Sequence, residues 1–325
     1  MEIDQTSQAR SMIRASMVEI RAETSPRINL LDRPMVTQIR TDCLDGQMVK
    51  RLIIHLHSSG CGWARKSGGC TMCGFYAATT AGLPVSSEDY VAQVTSVLER
   101  YPAHAFSIIG LYNAGNIFND DEVPFDALQQ ICRLLARNPY IKRVSFESKL
   151  EYIDGEKLKC VQQILPGKEI ELGIGVETLS ETIRDLCINK PFHNRVLQNK
   201  IDYLLGLGIF PKAYLLFKPP FLTETEAIED IVLSYRQIRD MGVERINIET
   251  MTIEKQTLVY RLWQNGLYRP PWLWSIIRII QELSGARLYF TPFQYIVNAE
   301  AVAQNCPHCS SRISKTIFDY QEGWV

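Results

Sequence analysis

What this 325-residue sequence lacks narrows its function before any motif is read. Its formal net charge is only −1, from 35 Lys and Arg against 36 Asp and Glu. No long-range positive field therefore draws it to nucleic acid or an anionic membrane, although a local basic groove is not excluded. Long hydrophobic runs are missing too: stretches such as 276–280 are far too short to span a bilayer. The first twenty residues carry Glu2, Asp4, Arg10, Arg14 and Glu19 with no apolar core between them, which is not the pattern of a signal peptide. There is no internal repeat and no low-complexity linker, so one domain with terminal additions is the simplest organisation. Nine cysteines without secretory features point to a reducing compartment, where thiols serve as ligands, nucleophiles or packing. The expected location is the cytoplasm.

What is present is an ordinary globular composition, 46% hydrophobic and 22% charged, carried by a strand-then-helix rhythm. A charged amphipathic helix from Asp4 to about Glu23 precedes two extended runs, 35–40 and 48–57, around the turn-forming Asp45-Gly46. Strands are expected over 52–57, 106–112, 143–148, 170–177, 212–217 and 245–249. Helices are expected over 87–100, 124–137, 154–165, 180–189, 195–207 and 223–241. Ser87 before Glu88 and Asp89 suits a helix N-terminus, and Pro124 suits a first turn. Leu128, Ile131, Leu134 and Leu135 recur on one helical face, and Gly206 with Gly208 ends another helix. Six βα units imply a parallel sheet with helices outside, as a doubly wound sheet or a barrel. The expected divisions are an N-terminal helix and extended segment (1–47), a core (48–255) and an extension (256–325). The extension holds helical pieces at 256–265 and 272–283, an apolar run at 287–290 and a cysteine pair.

The first strand, Leu52-Ile-Ile-His-Leu-His57, runs into a loop holding Cys61, Cys70 and Cys73 among Gly60, Gly62, Gly68, Gly69 and Gly74. Glycine lets a backbone approach a bulky inorganic centre and offers N–H groups to its sulfides, while Arg65 and Lys66 can offset its charge. Parallel α/β folds place active sites at this end of a strand. Three thiolates leave one iron of a cluster open, whereas structural zinc takes four ligands. The spacing C-x8-C-x2-C leaves a second reading open: a zinc knuckle completed by a remote residue such as His55 or Cys309.

Further segments carry a resemblance. Tyr214-Leu-Leu-Phe-Lys-Pro-Pro-Phe-Leu-Thr-Glu-Thr-Glu-Ala-Ile-Glu-Asp230, Gly175-Val-Glu-Thr178 with Ile188-Asn-Lys190, Arg269-Pro-Pro-Trp-Leu-Trp-Ser275 and Asn305-Cys-Pro-His-Cys309 span much of residues 50 to 320. Together they resemble the radical S-adenosylmethionine (SAM) superfamily in its elongator-like branch, closest to the radical SAM subunit of archaeosine synthase. The commonest spacing in the superfamily is C-x3-C-x2-C, and the longer first gap here is similar to that of a minority. The resemblance implies an α/β fold, the radical SAM partial (βα)6 barrel with terminal additions. It implies a [4Fe-4S] cluster on Cys61, Cys70 and Cys73, with SAM on the open iron. A reductant such as flavodoxin or ferredoxin then drives cleavage of SAM to methionine and a 5′-deoxyadenosyl radical. The implied substrate is a lysine-bearing 7-deazaguanine nucleoside of tRNA, in which a carbon–nitrogen bond is cleaved, and the chemistry is lyase- or transferase-like. The neutral charge and the lack of a recognisable RNA-binding module keep a small molecule or peptide as the alternative substrate. A zinc-stabilised binding protein is the alternative from another class.

Other site residues follow from strand ends. Asn113, Gly115 and Asn116 close the second strand, where the superfamily binds the SAM amino group; a polar turn is the plainer reading. Glu147, Glu177 and Glu249 fall at strand ends and are expected to converge on one mouth, Glu177 beside Thr178 being the first choice for ribose. Lys218, stiffened by Pro219-Pro220, is a candidate for a carboxylate or phosphate, or a surface lysine. Phe75 and Tyr76 lie near the adenine or fill the core, and Met72 is packing. Cys306 and Cys309 with His308 could join Cys43 in a metal site, pair as a disulfide or pack inertly. Cys132, Cys160 and Cys187 read as buried thiols. Trp263, Tyr268, Trp272 and Trp274 are expected to close the open side of the barrel, or to wall a substrate. No catalytic residue is assigned.

Overall fold

Asp45 and Gly46, both at positive φ (50° and 78°), turn the chain between β1 (Val36–Leu44) and β2 (Gln47–Leu56), which pair antiparallel. The computed structural model describes residues 5–293 and 299–322; the helix start expected at Asp4 lies outside them. Before the hairpin comes α1 (Gln5–Ala22). After it, β3 (Ile108–Asn113), β4 (Arg143–Glu147), β5 (Glu169–Glu177), β6 (Phe210–Phe217), β7 (Arg245–Thr250) and the short β8 (Tyr289–Phe290) add in parallel. The strands lie in sequence order from β1 to β8. A doubly wound sheet would reverse that order, so the chain forms the partial (βα)6 barrel, β2 to β7, extended by β1 and β8.

A short α2 (Gly62–Ser67) lies inside the cysteine loop, followed by α3 (Ser87–Arg100), α4 (Phe125–Ala136) and α5 (Gly155–Ile164). Next come α6 (Glu181–Leu186), α7 (Asn194–Gly206) and α8 (Glu224–Asp240). The chain then forms α9 (Leu258–Gln264), α10 (Leu273–Glu282) and α11 (Pro307–Glu322). Two helix starts differ from expectation by one position. Ser86, not Ser87, caps α3 by accepting the Asp89 N–H, and Pro124 stands at the cap of α4 rather than in its first turn.

Strand alternation decides what the barrel holds. Leu52, Ile54 and Leu56 of β2 pack into the apolar core with the helices, as do Ala213, Leu215 and Phe217 of β6 and Ile246 and Ile248 of β7. Their neighbours Arg51, Ile53 and His55, with Lys212, Tyr214 and Leu216, and Arg245, Asn247 and Glu249, line a cavity of about 640 Å³. The inside of the barrel is therefore polar, and the hydrophobic core lies between sheet and helices.

Candidate active site

The cysteine loop is clamped from three sides. Gly68 turns at φ 75°, and a Cβ there would strike the Met17 backbone, so α1 lies directly against the loop. From α1 the buried Arg21 donates to the carbonyls of Gly68 (2.7 Å), Cys73 (2.5 Å) and Gln256 (3.3 Å). The 188–190 segment holds the far side: Thr71 N–H donates to Ile188 O (3.0 Å), and the Asn189 amide donates to Gly69 O (2.8 Å) and Ser67 O (3.1 Å). On the third side the buried Glu122 carboxylate accepts the Gly62 N–H (2.8 Å) and the Asn119 and Asn116 amides (2.8 Å each).

So held, Cys61, Cys70 and Cys73 line the cavity together, and none is in a disulfide. Burial pushes the thiol of Cys70 up to about 11 and that of Cys73 up to about 12, and raises Cys61 as well. Such thiols keep their protons unless a positively charged centre displaces them. Arg65 and Lys66 are exposed on the outside of α2, so the cations expected to face the centre are not these. Lys190 and Lys149 line the cavity instead, with Arg21 behind the loop. Of the residues offered to complete a zinc site, His55 lines the cavity and burial lowers its pKa to about 4, whereas Cys309 lies on α11, outside the lining. Among the described residues no three His, Cys, Asp or Glu side chains converge on one ion-sized site.

Glu147, Glu177 and Glu249 all line this same cavity, as the strand ends suggest. Burial raises the Glu147 carboxyl, partly offset by a hydrogen bond from Tyr214. Glu177 follows a register shift in β5, sits at φ 66° and pairs with Lys190 at 2.7 Å. Thr178 turns away and donates to Asp230 (2.6 Å). Burial pushes Glu249 up to about 7; one carboxylate oxygen accepts from Thr291 and the other, Oε2, has no partner.

The asparagines divide. Asn113 lines the cavity with both side-chain polar atoms buried and without a protein partner, so both can hydrogen-bond a ligand there. Asn116 also borders it, but its amide donates to Glu122 and its oxygen accepts the Lys149 N–H (2.9 Å), so it braces the loop. Gly115 leaves room for Glu122, which a Cβ would meet. Lys218 is not part of the lining. At φ 65° the chain turns away after β6, and the Lys218 ammonium pairs with Glu224 (2.8 Å) and donates to Arg269 O (3.1 Å).

Phe75 and Met72 line the cavity, and Tyr76 is buried. Cys43 lines it too and accepts from Arg287 (3.1 Å), while Cys306 is exposed on the outside. The tryptophans do not close the barrel. Trp272 and Trp274 are 43% and 57% exposed, Trp272 under the Arg269 guanidinium, and only Tyr268 of that group is buried, donating to Lys218 O (2.6 Å). Lys190, Lys212, Arg21, Glu122 and Glu254 are site residues the sequence did not single out. Glu254 lines the cavity and burial raises it to about 7.

No family model matches the chain. It is 33% identical over 306 residues to a protein of Methanosarcina acetivorans named archaeosine synthase subunit beta, covering 93% of this chain and 87% of that one. A protein of the same name from Thermococcus kodakarensis is 29% identical over 242 residues, 74% of each. Among solved structures the chain is similar to the N-terminally truncated Elp3 of Methanocaldococcus infernus, with a TM-score of 0.50 and 15% identity. That match covers 72% of this chain and 58% of the Elp3 chain, and it shows a shared fold alone.

Proposed function

We propose, from the premise that this chain belongs to the archaeosine synthase subunit beta family, that it is a radical SAM enzyme with its cluster on Cys61, Cys70 and Cys73. The observation that carries this reading is the placement of three undisulfided thiols and the unpartnered Asn113 amide on one cavity at the C-terminal ends of parallel strands. A [4Fe-4S] cluster bound there would supply the electron that splits SAM into methionine and a 5′-deoxyadenosyl radical, drawn from a reductant such as flavodoxin or ferredoxin. The chain's own residues do the rest. Asn113 offers a donor and an acceptor to the amino-acid end of SAM, with Gly115 and Asn116 shaping the turn around it. Glu177 is the candidate for the ribose hydroxyls, and Glu147 and Glu249 present carboxyl groups to a cationic part of the substrate. Lys218 has no part in this.

The substrate we favour is a modified 7-deazaguanine nucleoside in tRNA that bears a lysyl group, following the name of the relatives and the acidic residues at the mouth. The near-zero net charge favours a small molecule or peptide as the second reading. Since the relatives are named as beta subunits, a partner subunit is expected, and it could supply the RNA-binding surface. No helix among the described residues is long and apolar enough to cross a membrane.

Anaerobic reconstitution with iron and sulfide tests the core of this reading. Wild-type protein and Cys132→Ala should form 5′-deoxyadenosine from SAM under dithionite, while Cys61→Ala, Cys70→Ala and Cys73→Ala should not. Substantial formation by Cys70→Ala would refute the cluster assignment.

A further inference from the structure

At the end of the cavity away from the cysteines, the charges of the barrel interior do not balance. Arg51 pairs with Asp42 (2.7 Å) and Glu171 (2.5 Å), and Arg245 pairs with Asp42 (2.7 Å). Burial works against both carboxylates, yet the flanking arginines hold Asp42 below and Glu171 well below the usual range, so both are ionised. Beside Arg245 in register lies Lys212, 4% exposed, with no carboxylate within 4.0 Å among the described residues. Its ammonium donates only to the Tyr214 hydroxyl (2.8 Å), and Glu147, hydrogen-bonded to the same phenol, acts on it from beyond ion-pair distance. Arg143 pairs with Glu169 at 2.7 Å and lies 3.8 Å from Glu171. Three cations, Arg51, Lys212 and Arg245, thus share the two ionised carboxylates Asp42 and Glu171, and the further carboxyls that act on Lys212, Glu147 and Glu249, are themselves raised by burial, so Lys212 has no carboxylate of its own. The Nε groups of Arg51 and Arg245 are also buried without hydrogen-bond partners, that of Arg245 lying 3.8 Å from Glu171.

We propose that this floor is a subsite for a carboxylate of the substrate, with Lys212 as its main partner and Arg51 and Arg245 completing the field. An unpaired buried ammonium costs stability, and burial with Arg51 alongside lowers Lys212 to about 8; a ligand of opposite sign restores its charge. A single ammonium without a carboxylate of its own fits a monoanionic carboxylate; the second charge of a phosphate would stand unpaired in turn. Two and four positions beyond Arg245 on β7, Asn247 Oδ1 and Glu249 Oε2 are acceptors without donors. A cationic group adjacent to the carboxylate therefore finds its own partners. The inference rests on the cavity being the substrate site, and it narrows the part of the substrate that enters the barrel to one carrying a carboxylate.

Calorimetric titration of the full chain with L-lysine and L-lysinamide, which differ only in the carboxylate, tests it. Wild-type protein should bind L-lysine at least about tenfold tighter than L-lysinamide. Lys212→Met should lose that preference and melt at a higher temperature without ligand, while Lys212→Arg should keep the preference. Equal binding of the two probes, a preference retained in Lys212→Met, or no binding of L-lysine at millimolar concentration would each overturn the proposal. Inorganic phosphate displacing L-lysine more effectively than acetate would overturn the choice of carboxylate. Wild-type 5′-deoxyadenosine formation, measured on the same preparations, reports separately on the cluster and needs no substrate.

Discussion

The ammonium of Lys190 stands 2.7 Å from the Glu177 carboxylate at a point where the backbone leaves no slack. Glu177 is held at φ 66° just after a register shift in β5, and a Cβ on Gly175 would lie 2.5 Å from Lys190 Nζ and 2.7 Å from Glu177 Oε1. Burial alone would depress the lysine; Glu177, and then the neighbouring Cys70, raise it instead, so it is charged throughout the neutral range. Lys190→Met strands a carboxylate beside the cysteines, and we expect a loss of about 3 kcal/mol of stability. It should also lower iron loading. Gly175→Ala should act in the same direction by forcing the pair apart. Urea denaturation and iron analysis check both, and a Lys190→Met midpoint equal to the parent's would refute the account.

Arg21 joins α1 to three carbonyls of two segments, Gly68 and Cys73 in the cysteine loop and Gln256 after β7. A lysine presents no planar fork and cannot reach all three. Both Arg21→Lys and Arg21→Met should therefore destabilise the protein by about 2 kcal/mol, the scale of a buried charged hydrogen bond left unmade. Either should also shorten the life of a reconstituted cluster under a chelator. Following the loss of cluster absorbance after chelator addition is the direct measurement. Full retention in Arg21→Lys would mean that charge alone suffices.

The parts of the site legible in the sequence are those at strand ends. Glu147, Glu177 and Glu249 each occupy the last or penultimate position of a strand, so counting along the strand places them at the mouth. The floor was not legible, for a physical reason. Arg51, Lys212 and Arg245 alternate with apolar residues just as solvent-facing charges do, and only the curl of the sheet turns that face inward. Arg21 likewise sits in a charged amphipathic helix among other arginines, and nothing local separates a buried one from a solvated one. Lys218 misleads for the opposite reason: its place after β6 suggests the mouth, but its positive φ redirects it. The α11 helix went unread because few apolar residues, chiefly Ile313 and Ile317, mark its buried side.

Lys218→Met separates position from role. The ammonium sits between Glu224 and the Arg269 carbonyl, and Tyr268 donates to the Lys218 backbone. Its loss should cost about 1–2 kcal/mol by leaving Glu224 short of a partner, although Arg269, Ser275 and the Trp272 N–H still bind that carboxylate. SAM affinity of the reconstituted protein should stay within about twofold of the parent. A larger loss of SAM binding with stability intact would return Lys218 to the cofactor site.

Glu249 should give the stability of the protein a pH dependence of unusual sign. Burial in the cavity wall raises its carboxyl to about 7, with the Thr291 hydroxyl and Lys212 opposing and Glu147 and Glu177 adding to the rise. In the unfolded chain the same carboxyl titrates near 4.5. Between these values the unfolded state has already lost its proton while the folded state keeps it. Folding therefore weakens as pH rises through this window and levels off above about 7. Two and a half pH units set an upper limit of about 3 kcal/mol, reduced in practice because the side chain borders an open cavity. Glu249→Gln removes the titration, so the variant should be more stable than the parent near pH 8 and alike near pH 5. The same reasoning makes a cationic ligand that ionises Glu249 release a proton on binding below pH 7, which buffers of different ionisation enthalpy detect by calorimetry. Denaturation midpoints across pH 5 to 8 decide the matter: a slope that survives unchanged in Glu249→Gln would show that another carboxyl, Glu254 being the nearest in behaviour, carries it.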